Sequence, residues 1–88
     1  MFVCRIVVQI AAYPPPRFTW LVNGKQISQS QRFKINYEEG QITLVIFNVQ
    51  PQDSGDYILK AANDLGECTW KTTLKIKRKY LEISEQPN

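Results

Sequence analysis

Histidine is absent from this 88-residue chain, so the commonest general base, metal ligand and pH switch are all missing. Cysteine is scarce: Cys4 and Cys68 lie far apart, without the CxxC spacing of a zinc or redox site. No asparagine begins an Asn-x-Ser/Thr sequon, so nothing points to N-glycosylation. Together these absences favour a reducing, cytosolic setting over secretion. The sequence predicts neither a metal ion nor another cofactor.

Long apolar runs are missing as well, and none approaches the ~18 residues that a membrane span needs. Residues 1–8 are apolar, but they lack a basic start and Arg5 interrupts them, so they indicate a core strand rather than a signal peptide. The 88 residues, 43% hydrophobic and 22% charged, suffice for one small folded domain with a modest core. No membrane partner is predicted.

The net charge of +3 is unevenly distributed. Residues 71–79 hold no acidic side chain and the following basic ones: Lys71, Lys75, Lys77, Arg78 and Lys79. This pattern is typical of a solvated strand face, or of lysines that guard an edge strand against pairing with another sheet. The alternative is a surface for an acidic protein partner. Nucleic acid is not predicted, because no aromatic platform or groove-reading helix accompanies the charge.

Alternating apolar residues separated by turn signals predict short antiparallel strands and no helix. Pro14, Pro15 and Pro16 end the first strand, and Asn23-Gly24 indicates a tight hairpin turn. The predicted inward faces are Phe2, Cys4, Ile6, Val8 and Ile10; Phe18, Trp20 and Val22; Phe33 and Ile35; Ile42, Leu44 and Ile46; Tyr57, Leu59 and Ala61; and Leu74 and Ile76.

Two features outside this core bear on function. The opposite face of the strand over 41–49 is unusually apolar, with Val45 and Phe47, which predicts a covered face or a contact surface. With Lys71, Lys75 and Lys77 these two residues form the candidate interaction surface. Residues 1–77 are predicted as the domain and 78–88 as a tail or linker, although the alternation after Tyr80 also suits a strand that fills a sheet edge.

Several motifs, in the right order and at the right intervals, resemble intermediate-set immunoglobulin domains. Residues 13–24 are similar to the family's YPxPxxxWxxNG segment, which carries Trp20. Residues 42–57, with Asp53, Gly55 and Tyr57, resemble the passage between its strands E and F. Residues 61–76 resemble its last hairpin. The resemblance implies an all-β sandwich of two antiparallel sheets.

The resemblance also implies roles for the signature residues. Trp20 becomes the packing mass between the sheets, and the Tyr57 hydroxyl donates to backbone near the preceding turn in a tyrosine corner. Asp53 accepts from turn backbone or pairs with a basic residue, for which Arg32 is the candidate. Gly55 supplies a backbone conformation that a Cβ would strain.

The chain departs from the family in two places. Val8 and Leu59 stand where the resemblance places the inter-sheet cysteines, so an apolar contact replaces the disulfide. Cys4 and Cys68 are then expected as free thiols, because strands B and G belong to different sheets. The seven residues before Val8 leave little room for strand A, so the domain is expected to begin at strand B. Either the sequence is cut inside a longer protein, or the first sheet lacks its edge strand.

The resemblance points to a non-catalytic structural and protein-binding module of a titin-like sarcomeric or cytoskeletal filament protein, located in the cytoplasm. It would space neighbouring immunoglobulin or fibronectin-like domains and bind protein partners. One alternative is an extracellular adhesion or receptor domain, and a second is a regulatory domain beside a muscle-type kinase. No enzyme is predicted, because no residues assemble a nucleophile, a base and an oxyanion site.

Overall fold

The computed structural model describes residues 2–77 and, for the backbone alone, residues 81–87. These residues form eight strands separated by turns: β1 (Cys4–Gln9), β2 (Arg17–Val22), β3 (Lys25–Ile27), β4 (Phe33–Glu38), β5 (Gln41–Ile46), β6 (Gly55–Asn63), β7 (Gly66–Ile76) and β8 (Leu81–Pro87). A 3₁₀ turn, Pro51–Asp53, precedes β6. At the turn between β2 and β3, Asn23 and Gly24 both have positive φ, as the predicted hairpin requires.

The strands form two antiparallel sheets, as predicted. One has three strands in the order β1-β5-β4, and the other has five in the order β3-β2-β6-β7-β8. β1 takes the position of the family's strand B, and it is an edge of its sheet within the described residues. Residues 81–87, expected to belong to a tail or linker, pair with β7 as an antiparallel strand. This is the arrangement in which the tail fills a sheet edge.

The core lies between the sheets, and the predicted inward faces supply it. β1 alternates between buried and exposed residues along its whole length, as a half-buried strand should. Trp20, Ile42, Leu44, Tyr57 and Leu59 are essentially inaccessible to solvent. The flanking residues pack against them partly buried: Ile10, Phe18, Val22, Phe33, Ile35 and Trp70.

One inward residue was predicted wrongly. Phe2 is 45% exposed, because it lies before the first paired residue of β1. Its carbonyl accepts a hydrogen bond from the amide of Val49 at 2.8 Å. The described residues contain no helix long and apolar enough to cross a membrane.

Candidate functional site

A partly buried polar cluster joins the two sheets at the turn before β6. Arg32 donates from Nη2 to Asp53 Oδ2 at 2.6 Å, and from Nε to the carbonyl of Phe47 at 2.9 Å. The same Asp53 oxygen accepts from the amide of Gln50 at 2.8 Å. The proposed partner of Asp53 is thus confirmed as Arg32. The Asp53 side chain is only 12% exposed. Its charge-assisted hydrogen bonds therefore stabilise the turn.

Tyr57 makes the expected tyrosine corner. Its side chain is fully buried, and its hydroxyl donates to the carbonyl of Asp53 at 2.7 Å. Burial raises the pKa of Tyr57 to about 12, and the negative charge of Asp53 adds to the shift. The phenol therefore stays neutral and holds the end of the 3₁₀ turn against the start of β6.

Gly55 has φ of +144°, a conformation that side chains rarely adopt. A Cβ there would also collide with the amide group of Asn23. That amide accepts from the backbone N–H of Asp56 at 3.0 Å, so the hairpin between β2 and β3 is fastened to the start of β6. Gly55 is required both by its backbone angle and by the close approach of Asn23.

The two residues at the usual cysteine positions lie on facing sheets. Val8, on β1, is 7% exposed and Leu59, on β6, is 1% exposed, and both belong to one apolar cluster. Trp20 lies in the same cluster, edge-on to Trp70 with ring centroids 6.2 Å apart. Apolar burial at both positions supplies attraction between the sheets where a covalent link is usual.

The cysteines that are present are both free. Cys4 is buried on β1, and burial raises the pKa of its thiol. Cys68 is exposed on β7, in the other sheet. Cys4 therefore behaves as a small core hydrophobe.

The predicted interaction surface requires one correction. Val45 is only 8% exposed, because it lies on the central strand of its sheet, directly opposite Arg5 on β1 and Lys34 on β4. Long basic side chains cover apolar neighbours with their methylene stems. Val45 is therefore not available to a partner, and Phe47 is half-buried.

The basic part of that surface lies along β7. Lys71 is 3.6 Å from Asp56, whose other carboxylate oxygen accepts from the Thr73 hydroxyl at 2.9 Å. Lys75 and Lys77 are exposed. Arg78 and Lys79, which complete the basic run in the sequence, lie outside the described residues. β7 is therefore a positively charged strand, next to the outermost strand of the five-stranded sheet.

A second candidate surface, which the sequence did not predict, lies at the end of the sandwich opposite the Arg32–Asp53 pair. Tyr13 is 86% exposed and Leu65 is 81% exposed. They line a groove of about 300 Å³ between the loop after β1 and the hairpin after β6. Asn63 spans the two loops by donating to the carbonyl of Pro14 at 2.8 Å. The available signal was a large apolar residue inside each turn motif.

Nothing in the described part of the chain groups three side chains of the metal-binding types. Two facing antiparallel sheets, a tryptophan buried between them and a tyrosine corner define an immunoglobulin-like β-sandwich. The family model for the immunoglobulin I-set domain matches residues 2–76. The chain belongs to the immunoglobulin I-set family.

The chain is similar to a muscle kinase and to solved structures of titin domains. The smooth-muscle myosin light chain kinase of Gallus gallus is 35% identical over 72 residues, which are 82% of this chain and 4% of the kinase. The structure of titin M4 superposes with a TM-score of 0.83 at 25% identity, over 85% of this chain and 78% of that one. The titin domains Z1Z2 in complex with telethonin give a TM-score of 0.80 at 31% identity, over 85% of this chain and 39% of that one.

Proposed function

We propose that the chain is a non-catalytic structural and protein-binding module of an intracellular sarcomeric filament protein, where it spaces neighbouring domains and carries axial force. Similarity to titin domains supports this assignment. The apolar Val8 and Leu59 at the cysteine positions suit a reducing cytoplasm. The observation that supports the mechanical role is that β1 begins at one end of the sandwich and β8 runs toward the other.

One end of the sandwich is marked by bonds from Val49 to Phe2 and between the hydroxyl of Ser54 and Ile76. β1 begins at this end. The opposite end is marked by the bond from Ile10 to Gly40 and by the groove beside Asn63. β8 runs antiparallel to β7 and so runs toward that end. Force applied between the start of β1 and the end of β8 therefore pulls the two strands in opposite directions along their own axes.

Ladder hydrogen bonds lie perpendicular to the strands. Axial tension on β1 and β8 thus loads many of these bonds at once, in shear, and the sheets should yield in one cooperative event. Tension applied to two opposed residues at the end of a ladder instead breaks the bonds one after another. The proposal predicts strong dependence of the unfolding force on pulling direction.

Single-molecule force spectroscopy tests this with two attachment geometries. In one, the full chain is pulled through its termini. In the other, it is pulled through cysteines introduced by Gln9→Cys and Gln41→Cys, which face each other at the end of the β1–β5 ladder, with Cys68→Ser as background. We expect a discrete event at a clearly higher force in the first geometry. Equal forces, or gradual extension without an event, contradict the mechanical role.

A regulatory domain beside a muscle-type kinase is the second candidate function, and the similarity to myosin light chain kinase supports it. The two candidates differ in what flanks the domain. A neighbouring kinase domain in the parent sequence supports the regulatory function, whereas serial immunoglobulin domains support the filament function.

A further inference from the structure

Asn23-Gly24, at the turn between β2 and β3, is a dipeptide that can change covalently without an enzyme. Asparagine is chemically labile, because the backbone nitrogen of the next residue can attack its carboxamide carbon. Gly24 has no Cβ to shield that nitrogen, and no other asparagine of the chain precedes a glycine. Asn23 is also exposed to solvent. Burial therefore does not protect this site.

Hydrogen bonds hold the Asn23 side chain against the start of β6. The backbone N–H of Asn23 donates to the carbonyl of Asp56 at 2.9 Å, and its Oδ1 accepts from the N–H of Asp56 at 3.0 Å. The side chain thus completes one more antiparallel pair, beyond the last pair of the ladder, Val22 with Tyr57. Nδ2 donates to the carbonyl of Ser54 in a longer bond of 3.5 Å.

Close packing against Gly55 holds the same carboxamide. Its three heavy atoms, Cγ, Oδ1 and Nδ2, are the nearest atoms that a Cβ on Gly55 would meet. The strand order puts β6 on one side of β2 and β3 on the other. The carboxamide is therefore held toward β6, whereas Gly24 leads away into β3. Attack by the Gly24 nitrogen requires the Asn23 side chain to release Asp56 and turn away from β6.

We propose that Asn23 is a deamidation site that the fold protects, and that it reacts when the β2–β3 hairpin detaches from the start of β6. In the detached hairpin the Gly24 nitrogen bonds to Asn23 Cγ and loses its proton, and the Cγ–Nδ2 bond breaks with release of ammonia. Water then opens the resulting succinimide ring at either carbonyl, which gives aspartate or isoaspartate. The inference goes beyond the proposed function and does not depend on it.

Neither product restores the original contacts. An aspartate at position 23 keeps one oxygen for the N–H of Asp56, but its other oxygen stands where Nδ2 donated to the Ser54 carbonyl. Two acceptors then face each other without a proton between them, which is unfavourable. Isoaspartate carries the main chain through the former side chain, so the pair with Asp56 loses its register. Each opening of the hairpin can therefore leave a permanent change that makes the next opening easier.

The direct test compares deamidation of the folded chain with that of a synthetic peptide of residues 15–30, in the same buffer and at the same temperature. Trypsin releases residues 18–25 from both, and this fragment contains no other amide side chain, so mass spectrometry follows Asn23 alone. A reaction that requires opening is slowed by the fraction of molecules that are open. We expect the folded chain to react at least about ten-fold more slowly than the peptide. Equal rates overturn the proposed protection.

Gly55→Ala separates opening of the hairpin from unfolding of the whole domain. Its Cβ displaces the carboxamide of Asn23, so deamidation of the folded chain should accelerate toward the rate of the peptide. Tyr57→Phe is the control, because it also destabilises the domain but keeps the contacts of Asn23, and its rate should stay close to that of the unaltered chain. Acceleration of both variants in proportion to the stability that each loses assigns the reaction to global unfolding and overturns the hairpin mechanism.

Hydrogen exchange gives the same comparison if Gly55→Ala does not fold. In the unaltered chain, the protection of Asn23 against deamidation should match the exchange protection of the Asp56 amide, which Asn23 itself binds. Protection equal to that of the most slowly exchanging core amides would instead show that the whole domain must unfold, and would overturn the proposal.

Asn23→Asp reproduces one of the products and tests its effect on the hairpin. We expect it to speed hydrogen exchange of the Asp56 amide and to lower the midpoint of urea unfolding. Asn36→Asp is the matched control, since it makes the same charge change at an exposed residue of β4. Equal midpoints and equal exchange in the two variants would reject a loosened hairpin. None of these outcomes bears on the mechanical role, which the direction-dependent pulling experiment tests separately.

Discussion

Replacing Tyr57 by phenylalanine removes one oxygen atom from the centre of the structure. The hydroxyl donates to the Asp53 carbonyl at 2.7 Å, and the ring around it is fully buried. The ring of phenylalanine fits the same space, so packing is kept. The lost hydrogen bond and the carbonyl left without this donor together should cost about 1.5–3 kcal/mol of unfolding free energy at neutral pH.

The same substitution should change the response to alkali. Burial raises the pKa of Tyr57 to about 12 in the folded chain, against about 10 in an unfolded chain. Because the folded pKa is the higher one, its stabilising contribution is complete below pH 10 and is lost as the pH rises toward 12. The slope in that window should be about 1.4 kcal/mol per pH unit. Phenylalanine has no proton to lose.

Urea unfolding followed by tryptophan fluorescence between pH 7 and pH 11.5 measures both effects. The stability gap between the unaltered chain and Tyr57→Phe should be constant up to about pH 10 and then shrink. Tyr13→Phe is the control, since Tyr13 is 86% exposed, and it should stay within about 0.5 kcal/mol of the unaltered chain. A gap below about 0.5 kcal/mol at pH 7, or one unchanged at pH 11.5, refutes the tyrosine corner.

Three further variants test the core and its turns by urea unfolding or mass spectrometry. Gly55→Ala should cost about 1–3 kcal/mol, because its φ is +144°, whereas Gly66→Ala meets open space and should be nearly neutral; equal effects contradict the strain at Gly55. Val8→Cys with Leu59→Cys should form a disulfide on oxidation without refolding, and two free thiols would show that the strand alignment is wrong. Trp20→Ala should cost about 3–5 kcal/mol, and a loss below about 1 kcal/mol would remove Trp20 from its central place.

The alternation of apolar and polar residues was enough to predict most of the fold. Alternation placed Val8, Leu59 and Leu74 in the core correctly, because one face of each strand is buried and a shift of one residue would expose the whole set. The resemblance to the family also suggested Arg32 as the partner of Asp53, although not the geometry of the pair. The resemblance implied that Gly55 has a backbone conformation that a Cβ would strain, and its positive φ agrees with this.

What the sequence left open, or predicted wrongly, concerns contacts between segments distant in sequence. The pattern within its own strand places Val45 on the outer face of the sheet. Its burial can be predicted only from the strand order, which places Arg5 and Lys34 on either side of it. The docking of residues 81–87 on β7 likewise depends on which edge the rest of the sheet leaves open. The exposure of Tyr13 and Leu65 reflects the meeting of two loops. Alternation describes single strands and contains no information about their neighbours.

The central claim is that this sandwich is stable without a disulfide, because Val8 and Leu59 fill the two cysteine positions with buried apolar side chains. Urea unfolding of the chain with and without a thiol reductant tests it most directly. The account predicts one cooperative transition with the same midpoint in both conditions. A lower midpoint in the reductant, or loss of the cooperative transition, would contradict it.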